Sequence, residues 1–349
     1  MQELKTFVID EGHGVKGLSD LNIKTLPDLF IQPPEKRLDM SKVVSHELIP
    51  IIDMSNSEDP EVMESICDAA EKHGFFQIVN HGIPLSLMED VKDAGHKFFR
   101  LPVEEKRKYL FTDGTTKNVE YLASYRPEVD KVLDWRDHLG CVYVSDAEAI
   151  ELWPHVCRHQ LMEYMKKSES LIKRLLEGLI KRLGIPKLDE TNQPFLMGLR
   201  RITLNYYPVC PNPELAVGVG SHSDFSTITV LLQDEVGGLY VRNSETENWI
   251  HVPPIKGSLT VNIGDALQIM SNGLYKSVEH RVVANRHNDR ISVPIFVNPR
   301  PSDVIGPLPQ VITKGEKALY KHVLYSDYVK HFFSKAYNGK DNIDFAKDV

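Results

Sequence analysis

The spacing of apolar residues changes character once along the chain. From Pro60 onward, Val62, Ile66, Ala69 and Ala70 recur three or four apart, which predicts an amphipathic helix opened by its proline and stopped at Gly74. The run from Phe75 to Val79 then reads as a strand. A second helix is expected where Ser86 and Glu89 form a capping box around Leu87, Val91, Ala94 and Phe98. The longest helical pattern lies between Pro154 and Gly184, with Leu161, Met165, Leu171, Leu175, Leu179 and Leu183 in one stripe broken at Ser168. Beyond residue 200 the period shortens. Runs such as TITVLL, GLYV, WIHV, SLTVNI and RISVPIFV, separated by Gly, Pro, Asn and Asp clusters, predict a β-sandwich or jelly roll. Residues 1 to 48, with Pro33-Pro34-Glu35-Lys36 among them, read as a partly extended arm rather than a regular element. The expected organisation is a helical and mixed region over 1–195 and a β region over 196–349. The boundary is soft and the core shared, because no repeat or low-complexity tract separates the halves.

Composition narrows the function. At 349 residues the chain can bury a full core. A net charge of −8, from 49 acidic and 41 basic residues, offers no basic field for nucleic acid or an anionic membrane. Cys67, Cys141, Cys157 and Cys210 lie far apart, so neither a zinc ribbon nor a disulfide framework is suggested and a reducing compartment fits. The opening MQELKTFVIDEGHGVKG lacks a basic start and an apolar run, and no stretch approaches 18 apolar residues. The expectation is a soluble cytoplasmic protein, and a monomer.

One cluster carries candidate chemistry. His222 and Asp224, two apart ahead of a strand, would project to the same side of an extended backbone. His280 opens another β-like run that antiparallel strands can return to the same place. Two imidazoles and a carboxylate on one face of an octahedral ion leave positions open, which is the non-haem iron(II) arrangement, whereas a structural zinc site is closed. The pair His287 and Asp289 lies in a polar turn without a following histidine, and His81 in VNHGIP reads as structural. Ten residues after His280, Arg290 and Ser292 alternate on one strand face, where a planar guanidinium and a hydroxyl could hold a carboxylate.

Taken together, NYYPVCP at 205–211, HSD at 222–224, EHR at 279–281 and RIS at 290–292 make the chain resemble the plant 2-oxoglutarate- and Fe(II)-dependent dioxygenases. IPIIDMS at 49–55 and GFFQIVNHGIP at 74–84 extend the resemblance to the amino-terminal half. It implies a mainly β fold with flanking helices, built on a distorted double-stranded β-helix of the jelly-roll type. It further implies iron on His222, Asp224 and His280, 2-oxoglutarate held by Arg290 and Ser292 with help from Asn205 and Tyr207, and dioxygen as oxidant, with ascorbate in support.

Within that family the likeness runs to the feruloyl-CoA and 4-coumaroyl-CoA ortho-hydroxylases of coumarin biosynthesis. GVKGLSDLNIKTLPDLFIQPPEKR, LPVEEKRKY, MSNGLYKSVEHRV and FVNPRPSDVIGPLP carry it. Two departures remove positive charge: Val119 to Tyr125 holds Glu120 and Leu122 where a basic residue and a glycine are expected, and Ser221 stands for an arginine. Arg200 and Arg201 are expected to compensate, and Phe296 to stack on a planar aromatic substrate. Alternatives are the same chemistry on a free coumarin, a flavonoid, an alkaloid or a hormone, with demethylation or desaturation as other outcomes. A non-catalytic ligand receptor is the rival from another class.

Overall fold

Each helical stripe folds as its spacing demands, with differences at the ends. A computed structural model describes residues 2–45, 48–111, 118–124, 131–312, 317–334 and 339–347. The helix Pro60–Lys72 is capped by Asp59, whose carboxylate accepts the Glu61 amide at 2.9 Å, and the chain leaves it through Gly74 at φ +65°. The helix Leu85–Phe99 starts ahead of Ser86, with Pro84 at its cap position and no side-chain cap. The capping box is therefore not used: Pro84 already sets the entry, and Ser86 lies inside the first turn. In Arg158–Arg182 the apolar stripe runs unbroken, because Ser168 is itself fully buried.

The strands of the two large sheets, in chain order, are β1 (Val43–Val44), β2 (Ile51–Asp53), β3 (Phe75–Val79), β4 (Val119–Ala123), β5 (Asp137–Tyr143), β6 (Leu199–Tyr207), β7 (Val219–His222), β8 (Ile228–Gln233), β9 (Leu239–Arg242), β10 (Trp249–His251), β11 (Leu259–Ile263), β12 (His280–Val282) and β13 (Arg290–Asn298). They form an eight-stranded sheet in the order β2-β3-β11-β8-β13-β6-β5-β4 and a five-stranded sheet in the order β1-β10-β9-β12-β7. The result is a jelly roll with helices against its larger sheet.

Alternation decides what faces where. Phe76, Ile78, Leu139, Cys141, Leu204, Tyr206, Val230, Val261, Val293 and Ile295 point outward into the main apolar cluster with the helices. The intervening positions line the barrel. At one end of the barrel Phe75, Tyr207 and Leu231 of the large sheet meet Val219, Leu239, Val241 and Val282 of the small one in a separate apolar plug. The other interior positions mix polar side chains with apolar ones such as Leu122 and Phe296, and they hold the candidate site. β5 and β6 pair across residue 195, so both halves of the chain contribute to one sheet.

The amino-terminal arm differs from its expected extended form. It contains a helix, Gly14–Asp20, and it buries Val8, Val15, Leu18, Leu29 and Phe30 against Leu133 and Trp135. Asp137 accepts the Val15 and Lys16 amides at 2.7 and 2.8 Å and so fixes the start of that helix. Among the described residues no helix is long and apolar enough to cross a membrane.

Candidate metal and co-substrate site

His222 ends β7 and His280 begins β12, and the two are direct cross-strand partners. Their rings lie 4.3 Å apart between centroids. Asp224 follows two residues on, with Oδ1 3.7 Å from the His222 Nε2 and 3.8 Å from the His280 Nε2. One ligand atom from each of the three lies within 4.8 Å of the others.

The surroundings aim these atoms. His222 Nδ1 lies 2.8 Å from the Gly220 carbonyl and His280 Nδ1 3.2 Å from the Val278 carbonyl. Since a carbonyl only accepts, each Nδ1 carries the proton and each Nε2 presents its lone pair inward. Asp224 Oδ2 accepts from Thr229 Oγ1 at 2.6 Å and from Asn262 Nδ2 at 2.8 Å, which leaves Oδ1 for the centre. Burial, then the neighbouring His280, push the His222 imidazole down to about 3, so it stays neutral as a ligand must. Burial raises the Asp224 carboxyl, but the two imidazoles and its two hydrogen bonds outweigh that and hold it below the ordinary range. The donor set suits a divalent ion with open positions.

Beside it is a cradle for an anion. Arg290 pairs in register with Tyr207, and Ser292 with Asn205, so all four face the barrel interior. The Arg290 side chain is buried at 1% exposure and lies 5.0 Å from the Tyr207 ring. Its Nη2 donates to Gln233 at 3.1 Å, while among the described residues Nε and Nη1 meet no acceptor. The neighbouring Asp234 carboxylate is already taken by the Ile291 and Val236 amides. A buried guanidinium with two open donors is costly unless an acceptor of matching geometry binds there, and a carboxylate matches. Sequence reasoning missed Arg136, which is buried and donates to the Asn205 oxygen at 3.1 Å. Only the β5–β6 register brings it there, and no local string announces it.

Other expected residues separate clearly. Phe296 is half-buried on the interior face, between Arg201 and Thr229 in register. His81 is spent on the backbone, with Nε2 3.1 Å from the Gly257 carbonyl and Nδ1 accepting the Ile83 amide. Asp289 accepts the Val209 amide at 2.9 Å and the Tyr206 hydroxyl, a turn-fixing role. Both arginines expected to compensate are engaged in ion pairs. Arg200 points to the outer face and pairs with Glu169 at 2.8 Å, and Arg201 is paired with Glu120. Ser221 donates to Glu279, which also takes Arg242. Tyr125 lies outside the described residues.

A family model described as the 2OG-Fe(II) oxygenase superfamily matches residues 200–299, and one described as the non-haem dioxygenase in morphine synthesis N-terminal region matches residues 49–156. The chain is a 2-oxoglutarate- and Fe(II)-dependent oxygenase. This oxygenase is 58% identical over 347 residues to a bi-functional coumaroyl CoA and feruloyl CoA ortho-hydroxylase of Ipomoea batatas, covering 99% of this chain and 97% of that one. It is 56% identical to feruloyl CoA ortho-hydroxylase 1 of Arabidopsis thaliana, covering 99% and 96%. Among solved structures, JOX2 in complex with 2OG, Fe and JA superposes with a TM-score of 0.85 at 33% identity, over 96% of this oxygenase and 98% of that chain. Iron(II) and 2-oxoglutarate are its cofactor and co-substrate.

Proposed function

We propose that His222, Asp224 and His280 hold the iron and that Arg290 and Ser292 bind the distal carboxylate of 2-oxoglutarate, with Asn205 and Tyr207 lining the same pocket. The observation that carries this is the buried Arg290 guanidinium, open at Nε and Nη1, beside three convergent ligand atoms. Iron bound there supplies dioxygen activation coupled to oxidative decarboxylation of 2-oxoglutarate to succinate and carbon dioxide. The chain orients both imidazoles through Gly220 and Val278, anchors Asp224 through Thr229 and Asn262, and excludes water behind the apolar plug.

The substrate in this reading is a hydroxycinnamoyl-CoA ester, hydroxylated on the ring ortho to the side chain, the step that leads to coumarins. Identity of 56 to 58% along nearly the whole chain to enzymes named for that reaction supports it, and Phe296 offers a ring for stacking. A second reading, a free hydroxycoumarin, is favoured by the pairing of Arg200 and Arg201, which leaves neither as an open cation for the phosphates of CoA. Incubation with iron(II), 2-oxoglutarate and either feruloyl-CoA or scopoletin, followed by mass spectrometry, separates them. One added oxygen on the ester, matched by equimolar succinate and abolished by Asp224→Ala, is the expected outcome. Oxygen added only to the free coumarin overturns the ester.

A further inference from the structure

We infer that the Glu120–Arg201 pair is the device that reads a phenolic hydroxyl on the substrate ring. The inference rests on the hydroxycinnamoyl reading and names which part of that substrate is recognised.

Register places the pair inside the barrel. Arg201 is the cross-strand partner of Phe296, and Phe296 is the partner of Thr229, which bonds the metal-facing Asp224. β6 and β8 are therefore two strand spacings apart, about 10 Å, on the same inner face as the candidate site. Glu120 on β4 is the partner of Gly140 on β5. The Arg201 guanidinium reaches Glu120 by lying across Gly140, where an added Cβ would stand only 2.0 Å from Nη2. Gly140 thus keeps the floor bare so that the pair can form. The side chains are 15% and 20% exposed, low enough to strengthen a polar contact yet open to a ligand.

The chemistry of the pair selects its ligand. Arg201 balances the Glu120 charge, so the pair has little attraction for a carboxylate or phosphate. Among the described residues Glu120 Oε1 is bonded to Arg201 and nothing donates to Oε2. A free carboxylate oxygen accepts, so the group it recognises donates a proton, as a phenol does. Phe296 beside Arg201, with Leu122 next to Glu120 on the inner face, supplies apolar wall for the ring that carries this hydroxyl. A hydrogen bond to a charged acceptor in such a setting is worth about 10- to 100-fold in binding.

The test compares kcat/KM for 4-coumaroyl-CoA and for cinnamoyl-CoA, which lacks the ring hydroxyl, in the wild type, Glu120→Gln and Gly140→Ala. The expected wild-type preference for the hydroxylated ester, about 10- to 100-fold, falls to within about threefold in both variants. A preference that survives in both variants overturns the inference and leaves the function intact. A wild type that oxidises neither ester overturns the function, and the inference with it. Should Glu120→Gln unfold early on heating, Gly140→Ala carries the same expectation, since there the displaced group is the flexible end of Arg201.

Discussion

At the scale of single residues, the site depends on groups that hold the three candidate ligands. Both histidines use one device: each Nδ1 is tied to the carbonyl two residues earlier, Gly220 for His222 and Val278 for His280. Each ring is thus oriented by its own strand. Asp224 is different, because its outer oxygen depends on Thr229 and on Asn262, which comes from another strand. Asn262→Leu keeps the size, removes one donor and leaves Oδ2 held by Thr229 alone. Iron affinity is expected to fall about 10- to 100-fold, the usual effect of losing a partner that holds a ligand. Titration of the apoprotein with iron(II) under argon measures it directly, and an affinity within twofold of wild type refutes the anchoring role. Local strings were legible in the sequence: H-x-D and R-x-S each declare themselves in three residues, and the imidazole tethers are equally local. Thr229 and Asn262, Arg136 on Asn205 and Glu120 on Arg201 were not. Thr229 lies only five residues from Asp224, but the other contacts need cross-strand register, which pattern alone does not supply.

At the scale of elements, the same contrast holds. The three long helices were readable because an apolar stripe is a property of the element itself, and the β-rich half because short β-rich runs are punctuated by turn residues. Their ends were less readable, as the displaced start at Leu85 shows, because a proline outweighed a side-chain cap. The arm was not readable, because Val15, Leu18 and Phe30 find their partners, Leu133 and Trp135, a hundred residues away in sequence. One junction ties helix, sheet and site together. Gly74 at φ +65° ends the helix Pro60–Lys72, accepts the Ile263 amide and lies where an added Cβ would meet the Lys276 carbonyl at 2.0 Å. The chain from Lys276 runs directly to His280. Gly82, at φ +86°, has no atom within 4 Å of the same added carbon. Gly82→Ala is therefore expected to cost only the left-handed strain, about 1–2 kcal/mol. Gly74→Ala adds a backbone collision that no rotamer relieves, for a total of roughly 3–5 kcal/mol. Denaturant unfolding of the two variants side by side isolates the collision, and equal losses would show that the Lys276 segment yields freely.

At the scale of the whole molecule, the barrel interior holds an apolar plug beside a chamber of mixed polar and apolar lining, while the arm closes over the outer side of β5. Charged side chains fasten the arm at several points, with Lys106 donating to the His13 carbonyl, Arg281 to the Lys36 and Arg37 carbonyls, and Asp137 at the start of its helix. Asp137 is fully buried and accepts the Val15 and Lys16 amides at the start of the helix Gly14–Asp20. Burial pushes its carboxyl up to about 6, against the opposing pull of Lys106 and the two amides. The direction of the resulting pH effect follows from linkage. A carboxyl with a folded pKa above its unfolded value of 3.8 binds more protons in the folded chain, so its contribution is favourable at low pH and is lost as pH rises toward and past 6. Asn at this position does not titrate. The stability of the wild type relative to Asp137→Asn should therefore decline between pH 5 and pH 8 by about 1–2 kcal/mol, at about 1.4 kcal/mol per tenfold in proton affinity. Urea unfolding of both proteins at several pH values gives this double difference, in which every other titrating group cancels. A flat difference would mean that the two amides and the Lys106 ammonium together hold Asp137 ionised throughout. The expected decline identifies the Asp137 fastening as a desolvated carboxyl that folding tolerates in order to seat the arm beside β5.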